Sequence, residues 1–458
     1  MVNIYECLVE ELGAKKVLSP TDARERATSY WDASPMNVAA LVRPSNTDDV
    51  SKALALCNAY GVAVVTHGGL SGCVEGAKPA EQKVVISLES MNNIDHLDLV
   101  GRTATVEAGC ILETFQNTVK EHGLYFPLDL GARGSCQLGG NAATNAGGIN
   151  VIRYGMMRNL ILGMEVVLAD GTVLSSMNQM LKNNAGYDLK QLFIGSEGTL
   201  GIITRLVLRL ETAPRTCNTA LIALNNFGQV VDLLNHFKVS MADSLSAYEV
   251  MWGEHYRAVT EEGWNKSPID RSHPFYVVAE CEGVDPENDK NRFLKTLEHA
   301  FEQELILDAA LSKSEAERQE IWETRENFEA LLQTGPVFLY DVSLPIKNME
   351  DYITQVLNDV QKQWQKGQCY VLGHIGDGNL HLFIKPEEPG DGLHDMADNI
   401  VYQPLSQFNG SVSAEHGIGT EKKKWLGHSR SNAEIEMMKL LKSTLDPKNI
   451  LNPGVIFN

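Results

Sequence analysis

The sequence lacks several features that mark common classes of protein. No apolar run approaches the roughly 18 residues that a membrane-spanning helix needs. Glu6, Glu10 and Glu11 interrupt the start of the chain, where a secretory leader would be apolar. Basic residues are few: 39 Lys and Arg against 59 Asp and Glu give a net charge of −20, which disfavours nucleic acid and anionic lipid as partners. These absences predict a soluble, cytoplasmic protein that binds no nucleic acid.

Common cofactor motifs are also missing. The cysteines are widely spaced, the closest pair being Cys57 and Cys73, so the zinc and iron–sulfur spacings are absent and we expect reduced, buried thiols. The chain contains no Gly-Lys pair and therefore no Walker A loop. The string nearest to GxGxxG starts at Gly376 but ends on His381, which gives no support to a nicotinamide site.

The length of 458 residues predicts about three domains, or two large ones. Short strands, turns and a few helices indicate an α+β domain over residues 1–213. After Pro214, strands alternate with long charged helical stretches such as 314–332, which predicts a second, mixed-sheet α+β domain over 214–405. Residues 406–458 form a C-terminal segment with the loop SVSAEHGIGT and a helix over 432–445.

Two segments are rich in glycine and other small residues. His67–Gly72 follows a predicted strand, and Gly131–Gly148 contains few large side chains. Glycine lets several backbone N–H groups converge on an anion such as a pyrophosphate. The second segment cannot fill a core and is better suited to lie against a large, flat group. Ordinary tight turns are the alternative, and for the first segment alone they would be the better interpretation.

These segments resemble a known family. VVTHGGLSG, FPLDLGARGSCQLGGNAATNAGGINVIRYG and GYDLKQLFIGSEGTLGIIT, in this order, resemble the FAD-binding half of the vanillyl-alcohol-oxidase-like flavoproteins. With HIGDGNLH, SAEHGIG and ILNPG they are similar to the branch of D-lactate, D-2-hydroxyglutarate and glycolate dehydrogenases, over nearly the whole chain. The resemblance implies an α+β fold: a two-part FAD-binding domain (1–213), a substrate or cap domain (214–405), and a C-terminal segment (406–458) that returns to the flavin and completes the active site.

The resemblance also implies which residues bind FAD. The first segment would wrap the pyrophosphate, the second would lie along the flavin, and a third would add backbone contacts. These residues are Thr66, His67, Gly68, Gly69, Leu70, Ser71 and Gly72; then Gly134, Ser135, Gly139, Gly140, Thr144, Gly147 and Gly148; then Gly198, Gly201 and Ile203. Two positions depart from the family: His67 replaces a common Arg, and Leu70 replaces a usual Gly. Because some members tether flavin through a histidine at the place of Leu70, we expect non-covalent FAD.

Two histidines and a carboxylate suggest a metal site. Asp377-Gly378 is a two-residue hairpin signal, and a turn there would set His374 directly opposite His381, with Cβ atoms about 4.5–5.5 Å apart. Glu415 adds a carboxylate, and this ligand set suits zinc, manganese or iron. Two histidines in an ordinary hairpin are the alternative. On a regular strand Glu415 and its neighbour His416 would face opposite ways, so the backbone must bend there, and Gly417 and Gly419 make that possible.

The resemblance assigns roles at this site. His374, His381 and Glu415 would bind the metal, with zinc or manganese favoured, and His416 would be the base. Arg325 matches the family position that binds the substrate carboxylate, although a surface pair with Glu329 is the simpler interpretation from the residues alone. Asn379 is counted with His416 and Arg325 among the candidate catalytic residues, and with Tyr340 and Asp341 it is a weaker candidate that would support the site.

The resulting hypothesis is an FAD- and divalent-metal-dependent dehydrogenase that oxidises a D-2-hydroxy acid to the 2-oxo acid by hydride transfer to flavin N5. Members specific for 2-hydroxyglutarate tend to have Lys, Asn and a small hydroxyl residue where this chain has Leu339, Phe383 and Glu329. An apolar wall disfavours a second carboxylate, so we expect a lactate-like substrate or one with a larger apolar side chain.

Several alternatives remain open at this point. The chain could be a D-2-hydroxyglutarate dehydrogenase, a metal-free FAD oxidase, or a non-catalytic FAD subunit of a multicomponent oxidase. The expected partners are a small 2-hydroxy acid and an external electron acceptor, which could be an electron-transfer flavoprotein, a quinone or a cytochrome. A homodimer is expected only from its general frequency.

Overall fold

The computed structural model describes residues 3–29, 32–333 and 335–457, and the chain divides into two compact units. The first comprises Met1–Gly148, Gly155–Ala213 and Glu415–Asn458; the second comprises Ile149–Tyr154 and Pro214–Ala414. The C-terminal segment expected over 406–458 therefore divides at residue 415. Within the described ranges no helix combines the length and the apolar character that crossing a membrane requires.

The helices and strands follow one another along the chain in an α+β pattern. The helices are α1 (Ile4–Leu12), α2 (Pro20–Ala23), α3 (Thr47–Tyr60), α4 (Leu112–Glu121), α5 (Leu138–Thr144), α6 (Val151–Tyr154), α7 (Met157–Leu160), α8 (Lys190–Phe193), α9 (Phe227–Met241), α10 (Gly253–Val259), α11 (Pro286–Glu302), α12 (Glu315–Glu326), α13 (Glu329–Leu332), α14 (Met349–Gln363), α15 (Leu393–Tyr402) and α16 (Asn432–Leu445). The strands are β1 (Val17–Leu18), β2 (Ala40–Val42), β3 (Val64–His67), β4 (Val84–Ser87), β5 (Ile94–Asp98), β6 (Thr103–Glu107), β7 (Leu124–Tyr125), β8 (Ile161–Val167), β9 (Val173–Ser176), β10 (Ile202–Arg209), β11 (Glu211–Thr212), β12 (Thr216–Leu224), β13 (Leu245–Trp252), β14 (Phe275–Gly283), β15 (Asp308–Leu311), β16 (Phe338–Ser343), β17 (Gln368–His374) and β18 (Asn379–Lys385).

The first unit contains two principal sheets. One has the order β1-β2-β4-β3, with β2, β4 and β3 parallel; the other has the order β5-β6-β10-β8-β9 and is antiparallel. Local signals set both ends of α3: the Asn46 side chain accepts from the amide of Asp49, and Gly61 ends the helix with a φ of 66°. The C-terminal tail returns to β3, since the amide of Val64 donates to the carbonyl of Ile450 over 2.7 Å.

The second unit is built on a seven-stranded sheet with the order β15-β12-β14-β13-β17-β18-β16. Neighbouring strands pair antiparallel throughout the described residues, so the mixed sheet expected from the sequence is wrong in this detail. The physical reason is that β14 lies between β12 and β13. Strands separated by a helix in the sequence therefore run parallel without being neighbours.

Two smaller expectations also need correction. The helix expected over 314–332 divides into α12 and α13, because the backbone at Asn327 leaves the helical region with a ψ of 90°. The cysteines are free thiols, but not all are buried: Cys217 is exposed, and Cys7 and Cys73 are partly exposed.

Candidate active site

The hairpin of β17 and β18 presents both predicted histidines on one face. Leu372 pairs with His381, so the predicted register, with His374 opposite His381, is wrong by two residues. The turn begins directly after His374, earlier in the chain than predicted. The amides of Asp377 and Gly378 both donate to the carbonyl of His374, each over 3.2 Å. A shift of two residues leaves every side chain on its face. The two imidazole rings accordingly lie with centroids 5.3 Å apart.

A buried carboxylate orients His374 from the neighbouring strand. Glu249 of β13 pairs with His374 in the sheet, and its Oε1 lies 2.8 Å from His374 Nδ1. Arg325 donates from Nε to Oε2 of Glu249 over 2.9 Å, and its Nη2 lies 3.2 Å from His374 Nε2. With a carboxylate at Nδ1 and a guanidinium at Nε2, the proton of a neutral ring sits on Nδ1 and the lone pair on Nε2. This is the tautomer of a histidine that binds a metal through Nε2, and in this structure that lone pair faces Arg325 Nη2, which a bound metal would displace.

The electrostatics of this group follow from its burial. Burial by itself would raise the pKa of Glu249, but its electrostatic interactions and hydrogen bonds with His374 and Arg325 hold it below its usual value. The Glu249 side chain is 1% exposed, so its negative charge is compensated inside the protein rather than by water. Sequence reasoning missed Glu249; the signal was a lone acidic residue in the otherwise apolar strand AYEVMW.

Arg325 lies at the end of α12 and points inward. It is 7% exposed, whereas Glu329 is exposed and begins the next helix, so the surface pair considered above is wrong. A second acidic residue, Glu280 of β14, anchors the same helix by accepting from Arg318 and Trp322. Helix α12 is therefore fixed to the sheet at two points, and Arg325 is held beside His374.

Asp341 links β16 to the segment that precedes Glu415. It pairs with His381 in the sheet, and its carboxylate accepts from Asn379 Nδ2 over 2.7 Å. The same carboxylate accepts from the Ser413 hydroxyl and the Ala414 amide, each over 3.1 Å. Asn379 thus joins the group as a structural neighbour, and Asp341 fixes the chain just before the candidate ligand.

Tyr340 lies on the opposite side of β16. Its hydroxyl donates to Asp398 of α15 over 3.1 Å. Tyr340 therefore points away from His374 and His381, and its contacts indicate a packing role.

Glu415 directly follows Ala414, and its Oε1 accepts from the amide of Gly148 over 2.8 Å. One ligand atom each of His374, His381 and Glu415 lie within 4.8 Å of one another. His416 follows as a half-buried residue, and the bend predicted after it is present, with φ of 86° at Gly417 and 54° at Gly419. Two imidazoles and a carboxylate at this spacing, with His374 in the right tautomer, fit a divalent metal ion.

In the first unit, the two glycine-rich segments lie against each other. A Cβ at Gly69 would stand 2.0 Å from the carbonyl oxygen of Ser135, so only glycine allows this approach. Gly198 belongs to the same region, because a Cβ there would lie 3.8 Å from the Thr66 hydroxyl. Sequence segments 66–72, 134–140 and 198 therefore form one continuous backbone surface.

The remaining predicted FAD residues have mixed surroundings. Gly139 packs against Ala108, and Gly201 packs against Val166 and Phe193. The Thr144 hydroxyl donates to the carbonyl of Gly140 in its own helix. The others are buried: Gly147, Gly148 and Ile203.

This surface fits FAD on its own geometry. The buried oxygens Gln137 Oε1 and Asn141 Oδ1 accept no hydrogen bond from any described residue. A Cβ at Gly72 or Gly140 would meet no atom within 4 Å. Unsatisfied acceptors beside an open glycine backbone are suited to the donors and the flat ring of a nucleotide cofactor.

The two departures from the family pattern have structural counterparts. His67 is 3% exposed, its Nε2 lies 2.9 Å from the carbonyl oxygen of Ala77, and burial above all lowers its pKa to about 4. It is therefore neutral near pH 7 and brings no positive charge to the loop. Leu70 adopts a φ of 51°, a conformation that the usual glycine takes without strain.

Comparison with protein families gives two matches. Residues 38–176 match the FAD binding domain, and residues 213–456 match the C-terminal domain of the FAD linked oxidases.

Curated relatives match over most of the chain. Mitochondrial D-2-hydroxyglutarate dehydrogenase of Bos taurus is 40% identical over 90% of this chain and 76% of its own length. D-2-hydroxyglutarate dehydrogenase of Stutzerimonas stutzeri is 36% identical over 96% of both chains. A Schizosaccharomyces pombe protein whose name gives D-lactate as its substrate is 38% identical over 96% of this chain and 86% of its own length.

Solved structures support the fold. p-Cresol methylhydroxylase matches with a TM-score of 0.76 at 17% identity, over 98% of this chain and 95% of its own. 4-Ethylphenol oxidase from Gulosibacter chungangensis matches with a TM-score of 0.75 at 19% identity, over 99% of this chain and 96% of its own.

Proposed function

Because this chain belongs to the family of FAD-dependent D-2-hydroxyacid dehydrogenases, we propose that it oxidises a monocarboxylic D-2-hydroxy acid with the help of a divalent metal ion. The observation that carries the metal is the grouping of His374, His381 and Glu415 within 4.8 Å, with His374 oriented by Glu249 over 2.8 Å. This ligand set suits zinc, manganese and iron, and we favour zinc or manganese.

The side chains divide the chemistry between them. FAD, when bound, supplies the two-electron acceptor for the hydride at C2 of the substrate. A divalent ion would supply a Lewis acid that lowers the pKa of the substrate hydroxyl. His416 takes the hydroxyl proton as general base, and Arg325 binds the carboxylate with its planar guanidinium. The electrons then leave to an external acceptor, an electron-transfer flavoprotein, a quinone or a cytochrome.

The substrate side chain is assigned from the apolar wall beside the histidines. Leu372 and Phe383 share the histidine face and belong to one buried cluster, and the rings of Phe383 and Phe328 have centroids 5.2 Å apart. Leu339 pairs with Phe383 and packs on the same cluster. A second carboxylate placed here would be desolvated without a partner. We therefore favour D-lactate or a larger apolar relative over D-2-hydroxyglutarate, which remains the second candidate because several relatives are named for it.

The substrate profile tests this assignment. Dye-reduction assays would give kcat/KM for D-lactate, D-mandelate and D-2-hydroxyglutarate with the wild-type chain and with Leu339→Lys. We expect the wild type to prefer the monocarboxylic acids, and Leu339→Lys to shift the ratio toward hydroxyglutarate by about tenfold or more, since it supplies a cation.

Phe338→Lys is the matched control. Phe338 directly precedes Leu339 in β16 and lies on the opposite face of the strand, where its ring stacks on His394. It should leave the ratio unchanged. A wild-type preference for hydroxyglutarate would contradict the assignment of the substrate while leaving the family and the metal site intact.

A further inference from the structure

The loop Glu415–Gly419, called the EHGIG loop below, has a backbone that needs external support. Gly417 and Gly419 have positive φ, and a Cβ at Gly419 would stand 1.9 Å from the carbonyl oxygen of Val74. The Thr420 amide donates to that same carbonyl over 3.0 Å, which fixes the far end of the loop. The consecutive amides of Ile418 and Gly419 lie on the inside of the bend.

Glu197 satisfies both of these amides with one carboxylate. Ile418 donates to Oε1 and Gly419 donates to Oε2, each over 2.8 Å. The carboxyl group of Glu197 has an acceptor at each of its two oxygens, whereas a glutamine has a single acceptor oxygen and places an N–H donor against the second amide. Burial raises the pKa of Glu197 above its usual value, and the two amides and Lys422 oppose only part of that effect. The carboxylate and the loop backbone are thus chemically matched.

Glu197 is itself held in a fixed conformation. Its backbone φ is 51°, which is unusual for a residue other than glycine, and its amide donates to the carbonyl of Ala143 over 2.8 Å. Its carbonyl accepts from Asn452 Nδ2 over 2.7 Å, and Asn452 Oδ1 accepts from the amide of Thr66 over 3.3 Å. The C-terminal tail, the candidate FAD loop and the EHGIG loop therefore meet at Glu197.

We propose that Glu197 is a positioning residue that sets the backbone of the EHGIG loop, and through it the directions of Glu415 and His416. This inference rests on the proposed function, in which Glu415 binds the metal and His416 takes a proton. Glu415 and His416 are adjacent and lie outside any regular strand, so their directions depend on how the irregular backbone of the loop is held. Glu197 holds the amides of Ile418 and Gly419, two and three residues after His416. In this role the Glu197 side chain acts through the backbone of the EHGIG loop and does not itself bind the metal or the substrate.

Glu197→Gln is the decisive variant, with Glu197→Ala as a second and Asp98→Asn as the matched control. Asp98 also accepts two consecutive amides, those of Val100 and Gly101, each over 2.9 Å, in the turn between β5 and β6. The variants should be purified with FAD and compared by amide hydrogen exchange of residues 415–420, zinc affinity, flavin content, kcat and KM.

We expect Glu197→Gln to speed exchange at Ile418 and Gly419, to weaken zinc binding by about tenfold, and to lower kcat more than it raises KM. Flavin content should stay near that of the wild type, and Asp98→Asn should change none of these quantities. Unchanged exchange at Ile418 and Gly419, or faster exchange with unchanged zinc affinity and kcat, would overturn the inference. A wild-type chain without zinc-dependent activity would instead contradict the proposed function, and the exchange measurement would still report on the Glu197 contact.

Discussion

His67 shows how a single buried side chain makes stability depend on pH. Its pKa of about 4, lowered chiefly by burial, lies below the roughly 6.5 of an exposed histidine, so the folded state binds fewer protons between these values. Its contribution to stability is therefore present above pH 6.5 and is lost as the pH falls toward 4. Urea unfolding at about pH 7 and about pH 5 should show an extra loss of about 2 kcal/mol in the wild type relative to His67→Gln. Equal losses in the two proteins would show that His67 is not held neutral.

Individual residues were predictable where their chemistry contrasts with their surroundings. His374, His381 and Glu415 stand out as ligand types near glycine turns, and the structure groups them. Arg325 is a different case, because its position on a charged helix favours a surface pair, and only the family resemblance pointed inward. Its burial is decided by Glu249, which lies 76 positions earlier in the chain, and no local pattern encodes that contact.

At the scale of elements, the sheet places two acidic residues under one helix and makes a controlled experiment possible. Glu249 of β13 holds Arg325, and Glu280 of β14 holds Arg318, both on α12. Replacing either by Gln removes a buried carboxylate that a guanidinium contacts, although Arg318 keeps its pair with Glu315 over 3.1 Å. We expect each substitution to cost about 3 kcal/mol of unfolding free energy.

Of the two substitutions, we expect only Glu249→Gln to weaken zinc binding as well, by about 10- to 100-fold, and to raise KM for the hydroxy acid. The reason is that Glu249 contacts His374 and Glu280 does not. Zinc affinity measured by competition with a chromophoric chelator, with kcat and KM determined separately, checks this difference. Equal effects of the two substitutions on zinc affinity would mean that Glu249 acts only through stability.

Strand pairing was harder to predict than strand positions. Helix α3 begins after a capping asparagine and ends at a glycine, and α16 has the bounds 432–445 expected from the sequence, because such signals are local. The predicted hairpin register was wrong by two residues, since the turn covers residues 375–378 and not the Asp-Gly pair alone, with the amides of Asp377 and Gly378 both bonded to the His374 carbonyl. The antiparallel arrangement of the second sheet depends on β14 lying between β12 and β13, a long-range choice that periodicity does not report.

At the scale of the whole molecule, the α+β flavoprotein fold expected from the resemblance is confirmed by the family matches and the solved structures. The fold could be predicted because several motifs occur together in a fixed order, whereas any one of these motifs alone would not indicate the family. The metal and the substrate stay predictions, because each depends on a few side chains that relatives with one fold can exchange. The net charge of −20 makes a local cation at His374, His381 and Glu415 physically useful for a carboxylate substrate.

We propose that a divalent ion held by His374, His381 and Glu415 would activate the substrate hydroxyl for oxidation by FAD. The most direct test is anaerobic visible spectroscopy of the purified, flavin-loaded chain mixed with D-lactate or L-lactate, before and after chelator treatment verified by metal analysis. We predict that only D-lactate bleaches the flavin, that bleaching is lost after metal removal while the flavin stays bound, and that zinc or manganese restores it. Bleaching at the original rate in the metal-free, flavin-loaded chain would contradict the account.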